Sequence, residues 1–202
     1  PVFPHEPMYR GACTAGLAEG AWDRLMAGPP VRALQAWVLP GRPVWPTIAR
    51  ALWIYQRRKR EHILHGADVP SSGVMSGVAL VQDARDPDDW VEQIMRSSIS
   101  PPITRVPVDD GRAYFDGGFV DNVPVRALSA DAQAGRAIVL LTRYDPETPL
   151  PRGPRRLYLA PSEPVPVAKW DYAHADRIRA TLDLGRRDAA RYRTRIEAFV
   201  RE

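Results

Sequence analysis

Between clusters of proline, the apolar positions of this chain change period, and the changes divide it into elements. Residues 14–27 and then 31–39, VRALQAWVL, carry apolar residues at helical spacing and predict two short helices, the second stopped by Pro40 and Gly41. A longer helix is predicted from about Pro46, with Ile48, Leu52, Trp53 and Tyr55 toward one side and Arg57, Arg58, Lys59 and Arg60 on its later turns. After the turn residues Pro70-Ser71-Ser72-Gly73, the segment VMSGVALVQ, 74–82, is mostly apolar and predicts a strand. Asp86, Asp88 or Asp89 can cap a helix through DWVEQIMRSS that carries Trp90, Val91, Ile94 and Met95 inward. A loop holding Pro101-Pro102 leads to the short strand RAYF, followed by a helix from about Pro124 to Ala134 that Gly135 stops. AIVLLTRY, 137–144, is the clearest strand; LYLA, 157–160, is another, and a helical pattern runs from about Asp176 to Val200.

Strands alternating with helices predict a layered α/β fold with parallel pairing, because each crossover helix covers one face of the sheet. The chain of 202 residues, 45% hydrophobic and 26% charged, suits one soluble domain with a sizeable core. A net charge of +4 adds little, since all the cations but Lys59 and Lys169 are arginine, a uniformity that suggests coding bias rather than a nucleic-acid footprint. Cys13 is the only cysteine, which excludes an internal disulfide and is compatible with a reducing compartment. No apolar run approaches the roughly 18 residues of a membrane span. The chain opens with Pro1, and that start is read as a fragment or processed product.

Candidate chemistry centres on YFDGGFVDN, residues 114–122. A strand ending at Asp116 places its carboxylate at the carboxyl edge, where open α/β sheets assemble their sites. Gly117 and Gly118 permit unusual backbone angles and close approach of another chain segment. The same residues also suit a sharp turn in which Asp116 caps its own backbone.

The stretch 94–125, IMRSSISPPITRVPVDDGRAYFDGGFVDNVPV, resembles the patatin-like phospholipase family, in which a Ser-x-x-x-Pro loop precedes an Asp-Gly-Gly followed shortly by Asn and Pro. Here the loop is Ser98-Ile99-Ser100-Pro101-Pro102, the motif is Asp116-Gly117-Gly118, and Asn122 and Pro124 follow. The resemblance extends over roughly residues 74–195, with 112–124 carrying most of its specificity. It implies a three-layer fold with a mainly parallel central sheet flanked by helices. It further implies a bacterial-type serine acyl hydrolase acting on lipid or another acyl ester, without metal or cofactor, in which Asp116 is the base of a Ser-Asp dyad. Gly117, Gly118 and Asn122 would support that carboxylate, and Ser98, Pro101 and Pro102 would form the active-site loop. A serine hydroxyl needs such a base to become nucleophilic, and an Asp with a free pKa of ~3.9 serves better where an apolar, lipid-filled site raises it.

The nucleophile itself is not in the chain. No Gly-x-Ser-x-Gly occurs in the sequence, and Gly73-Val74-Met75-Ser76-Gly77 has its serine one place too late, so Ser76 reads as a small strand residue facing a neighbouring element. The glycine-rich oxyanion loop of the family is also absent. Both belong upstream of residue 1 in the family order, so the chain is expected to be the carboxyl-terminal part of one patatin-like domain and its first partner the missing amino-terminal segment. A catalytically inactive module that binds a lipid surface or a protein partner is the alternative.

Residues 30–70 read as a helical insertion or lid. Trp22, Trp37, Trp45 and Trp53 precede the cations Arg57, Arg58, Lys59 and Arg60, and this grouping suits contact with a membrane surface through Trp37, Trp45, Trp53 and the cationic run. An ordinary helical hairpin with buried aromatics is the plainer reading. His62 and His65, at i and i+3 of a helix, could ligate a metal but lack acidic or sulfur partners at suitable spacing, and His5 and His174 stand isolated. Asp121 and Asn122 also suit the start of the helix near Pro124.

Overall fold

The computed structural model describes residues 5–17, 20–65, 73–169, 171 and 173–201. Two compact units divide the chain, Pro1–Leu128 and Ser129–Glu202. The first contains helices α1 (His5–Gly16) and α2 (Ala21–Ala27), strand β1 (Arg32–Val38), helix α3 (Val44–Arg60), strand β2 (Val74–Leu80), helix α4 (Pro87–Arg96), and strands β3 (Val108–Asp109) and β4 (Arg112–Asp116). Short 3-10 turns follow at Val81–Asp83, Gly117–Phe119 and Val125–Ala127.

VRALQAWVL is therefore a strand and not the expected helix. Its apolar residues satisfy either period, and tertiary pairing decides: β1 sits between β2 and β4 in a sheet of order β2-β1-β4-β3. Every pairing in this sheet is antiparallel, which corrects the expected parallel sheet. Alternation of helix and strand does not fix direction, because the chain leaves β1 and re-enters β2 at the same end, where the Leu39 N–H donates to the Gly73 carbonyl at 3.1 Å. β3 and β4 form a hairpin around Asp110 (φ 47°) and Gly111 (φ 70°), left-handed angles that match the twist of paired strands.

The strand register sorts the side chains between two faces. Ala36, Val38, Val74, Ala113 and Phe115 share one core with Ile48 and Ala51 of α3. On the opposite face the Gln35 amide donates to the Gln93 carbonyl of α4 at 3.0 Å, and the Arg96 guanidinium lies over the Tyr114 ring. Helices on both faces make this unit a layered α/β structure. Asp86 caps α4 by accepting the Asp89 N–H at 2.8 Å, and a second core of Val81, Ala84 and Trp90 is covered by Trp22, Leu25 and Met26.

In the second unit, α5 (Ala130–Ala134) precedes β5 (Ala137–Leu140) and β6 (Arg156–Leu159), and the chain ends in α6 (Ala175–Arg201). β5 and β6 pair in parallel, and here alone among the described strands is the expected direction found. β5 stops at Leu140, short of the expected Tyr144, and the helix expected over 124–134 is a 3-10 turn followed by the short α5. Leu184 and Asp188 are the buried residues of α6, and the Asp188 carboxylate accepts the Ser162 N–H at 3.0 Å. Among the described residues no helix is long and apolar enough to cross a membrane.

Phe115 has no exposed surface and lies at the centre of the first core. Phe115→Ala is expected to destabilise the chain by about 3–5 kcal/mol, read as a lowered urea midpoint at unchanged slope.

Candidate active site at the end of β4

Asp116 is the last residue of β4, opposite Gln35 of β1, at the point where the strand breaks into the Gly117–Phe119 turn. Its N–H donates to the Ile99 carbonyl at 2.7 Å, so β4 is held at this residue by the loop that begins at Ser98. Its carboxylate Oδ1 accepts the Gly118 N–H at 2.7 Å, which caps the turn and fixes the side chain. This is the sharp turn in which Asp116 caps its own backbone.

Each glycine has a separate steric reason. A Cβ on Gly117 would lie 2.2 Å from the Leu34 carbonyl oxygen, closer than any side chain can sit. One on Gly118 would lie 3.0 Å from Asp116 Oδ1 and 3.2 Å from Asn122 Oδ1. Asn122, itself exposed, therefore reaches the space beside the aspartate, while Asp121 turns back to accept the Val123 N–H at 3.0 Å.

The loop residues divide in their placement. The Ser98 hydroxyl donates to the Ile94 carbonyl at the end of α4, at 2.9 Å, which is a helix-terminal role. Ser100 and Pro101 are buried, Pro102 is exposed, and the Pro101-Pro102 peptide is cis. A cleft of about 520 Å³ runs beside this loop and is bordered by Ser98, Ile99 and Thr104, with the ion pairs Arg10–Glu92 and Arg96–Asp109 on its rim. Asp116 does not line it.

Several supports were not legible as site residues. Phe119 packs edge-on against Tyr55 of α3 with ring centroids 5.2 Å apart, and the Arg58 guanidinium donates to the Val120 carbonyl at 3.3 Å. His65 Nδ1 lies 3.1 Å from the Val123 carbonyl. α3 ends at Arg60, so His62 and His65 lie beyond it and do not share the expected helix face. No group of three potential metal ligands occurs among the described residues. His174, expected to stand alone, has Nδ1 2.6 Å from Asp171 Oδ1, and this hydrogen bond holds the Asp171 carboxyl below its usual range. His5 opens α1. Ser76 lies in β2 opposite Ala36 as a strand residue, but it is exposed rather than packed on a neighbour.

The tryptophans also separate. Trp37 lies in β1 under the Arg112 guanidinium, with its ring so close to Gly77 that a Cβ there would sit 2.8 Å from it. It belongs to the sheet, which corrects its placement in a lid. Trp45 and Trp53 are exposed on α3.

The arrangement at the end of β4 is thus a carboxylate at a strand end of a layered α/β unit, capped by the turn it begins. The family profile of patatin-like phospholipases matches residues 14–129, which contain this entire arrangement, and the chain belongs to that family. The match starts earlier than the motif resemblance and stops before β5 and α6. At the family level this means lipid acyl hydrolysis and a lipid partner. No curated protein and no solved structure gives a significant match to the chain.

Gly117→Ala is expected to cost ~3 kcal/mol or more, because the backbone contact with Leu34 must open. Gly111→Ala, where a Cβ meets nothing within 4 Å and only φ is unfavourable, should cost ~1–2 kcal/mol. Equal losses in chemical denaturation would contradict the close-approach account.

Proposed function

We propose that the chain is the Asp-bearing part of a serine acyl hydrolase acting on phospholipid or another carboxylic ester, with Asp116 as the base of a Ser-Asp dyad. The observation that supports this most is the clamping of Asp116: its backbone is bonded to Ile99 and its carboxylate to Gly118. A general base must hold its geometry while a proton moves, and such anchoring supplies that. The nucleophilic serine and the oxyanion amides come from a segment upstream of residue 1. As the serine oxygen attacks the ester carbonyl, its proton passes to Asp116, which returns it to the departing alcohol and leaves an acyl-serine. Water then attacks the acyl carbon and gives a proton to the same carboxylate, which passes it to the serine oxygen as the acyl–serine bond breaks and the carboxylic acid leaves. Asn122, beside Gly118, orients the carboxylate, and the Ser98–Pro102 loop fixes the strand end.

The sequence holds no Gly-x-Ser-x-Gly, which favours one second reading, a catalytically inactive module that kept the fold. Reading the gene upstream of Pro1 separates the two, since the elbow must occur there in a hydrolase.

With its native upstream segment present, the domain should hydrolyse short acyl esters. Asp116→Asn should lower kcat by about 10²–10⁴-fold with an unchanged melting temperature, because the amide oxygen still accepts the Gly118 N–H. Undiminished turnover in that variant would remove Asp116 from the mechanism.

A further inference from the structure

The two faces of α3 differ sharply in chemistry. Thr47, Ile48 and Ala51 are buried against the sheet, and Tyr55 and Arg58 reach the turn that follows Asp116. The outer arc carries Trp45 and Trp53, 59% and 58% exposed, with Ala49 between them. Eight residues along a helix place the two indoles about 12 Å apart along its axis. Arg50, Arg57, Lys59 and Arg60 are exposed on the same helix, which contains no Asp or Glu, and the Arg57 guanidinium lies 5.9 Å from the Trp53 ring centre. Beyond the helix end, Glu61 pairs with Arg57 at 2.8 Å and Ile63 is exposed.

We infer that the outer face of α3 is an interfacial anchor for an anionic lipid surface. Indole rings favour the headgroup boundary, where the apolar ring is sheltered and the N–H stays hydrated. Cations flanking them on a helix without acids add attraction to anionic headgroups. The charge commits the partner to an anionic surface, and the spaced, outward indoles favour a bilayer boundary over a protein groove. This inference deepens the lipid-hydrolase reading by naming how the site meets its substrate. The helix that touches lipid outside is the one that braces Phe119 and Val120 inside, so anchoring would hold the turn after Asp116 about one helix diameter from the surface.

Co-sedimentation of the domain, with its native upstream segment present, with phosphatidylcholine–phosphatidylserine vesicles tests this. Binding is expected to exceed that to pure phosphatidylcholine vesicles by roughly tenfold or more, and to weaken with salt. Trp45→Ala/Trp53→Ala should lower it by roughly tenfold at unchanged circular dichroism, since both side chains are exposed. Equal binding to neutral vesicles, no binding, or binding indifferent to the double variant would overturn the anchor. So would loss, in that variant, of binding to a single-stranded oligonucleotide or of self-association, in a chain that ignores vesicles. Asp116→Asn should bind vesicles normally. With the upstream segment present, the tryptophan variant should retain hydrolysis of a water-soluble ester, so failure of the anchor and failure of the dyad give different results.

Discussion

The backbone of Gly117 lies so close to Leu34 that no side chain fits between them, and the candidate site depends on that approach. It lets the chain turn sharply at the end of a strand that is already hydrogen-bonded to β1. Because the turn begins there, the Asp116 carboxylate can reach the Gly118 N–H two residues on and is fixed by its own backbone. A larger residue at 117 would push the turn off β1 and carry the carboxylate with it. The glycine thus acts through position, and its conformational freedom is secondary.

The sheet makes the arrangement rigid from both faces. α3 lies against Ala36, Val38 and Phe115, while α4 reaches Gln35 and Tyr114 from the other face and its following loop bonds Asp116 itself. Elements far apart in sequence therefore converge on one strand end. Phe115 and Phe119, whose rings are 5.8 Å apart, link the buried core to the turn. Packing on this scale restricts the aspartate more than a lone hydrogen bond would, since moving it disturbs a core with little free volume.

α3 shows how one element can serve two environments. Its inward residues are small or aliphatic and fit the sheet, while its outward indoles gain nothing from the core. A single helical period cannot distinguish these roles, because Trp53 sits next to Leu52 in a run that is apolar on both sides. The lid reading grouped Trp37 with Trp45 and Trp53 by proximity in sequence. Strand pairing separates them, placing Trp37 opposite Tyr114 within the sheet.

Features that are local were legible from the residues alone. The acids Asp86, Asp88 and Asp89 mark the start of α4, with the structure selecting Asp86 as the cap, and Asp-Gly-Gly marks the strand end and its turn, because caps and glycines act over a few residues. The family motif around Asp116 was legible for the same reason. The hairpin at Asp110-Gly111 was not read from the sequence, where residues 103–111 counted only as loop, because the two-residue β3 is too short to show a strand pattern. That VRALQAWVL is a central strand follows from its pairing, since its apolar residues fit both periods and its partners lie at 74–80 and 113–116. Tertiary structure also set the antiparallel sheet, the Leu34 carbonyl that makes Gly117 necessary, and the Tyr55 and Arg58 contacts with the turn after Asp116. These are meetings of distant segments, set by which faces bury together.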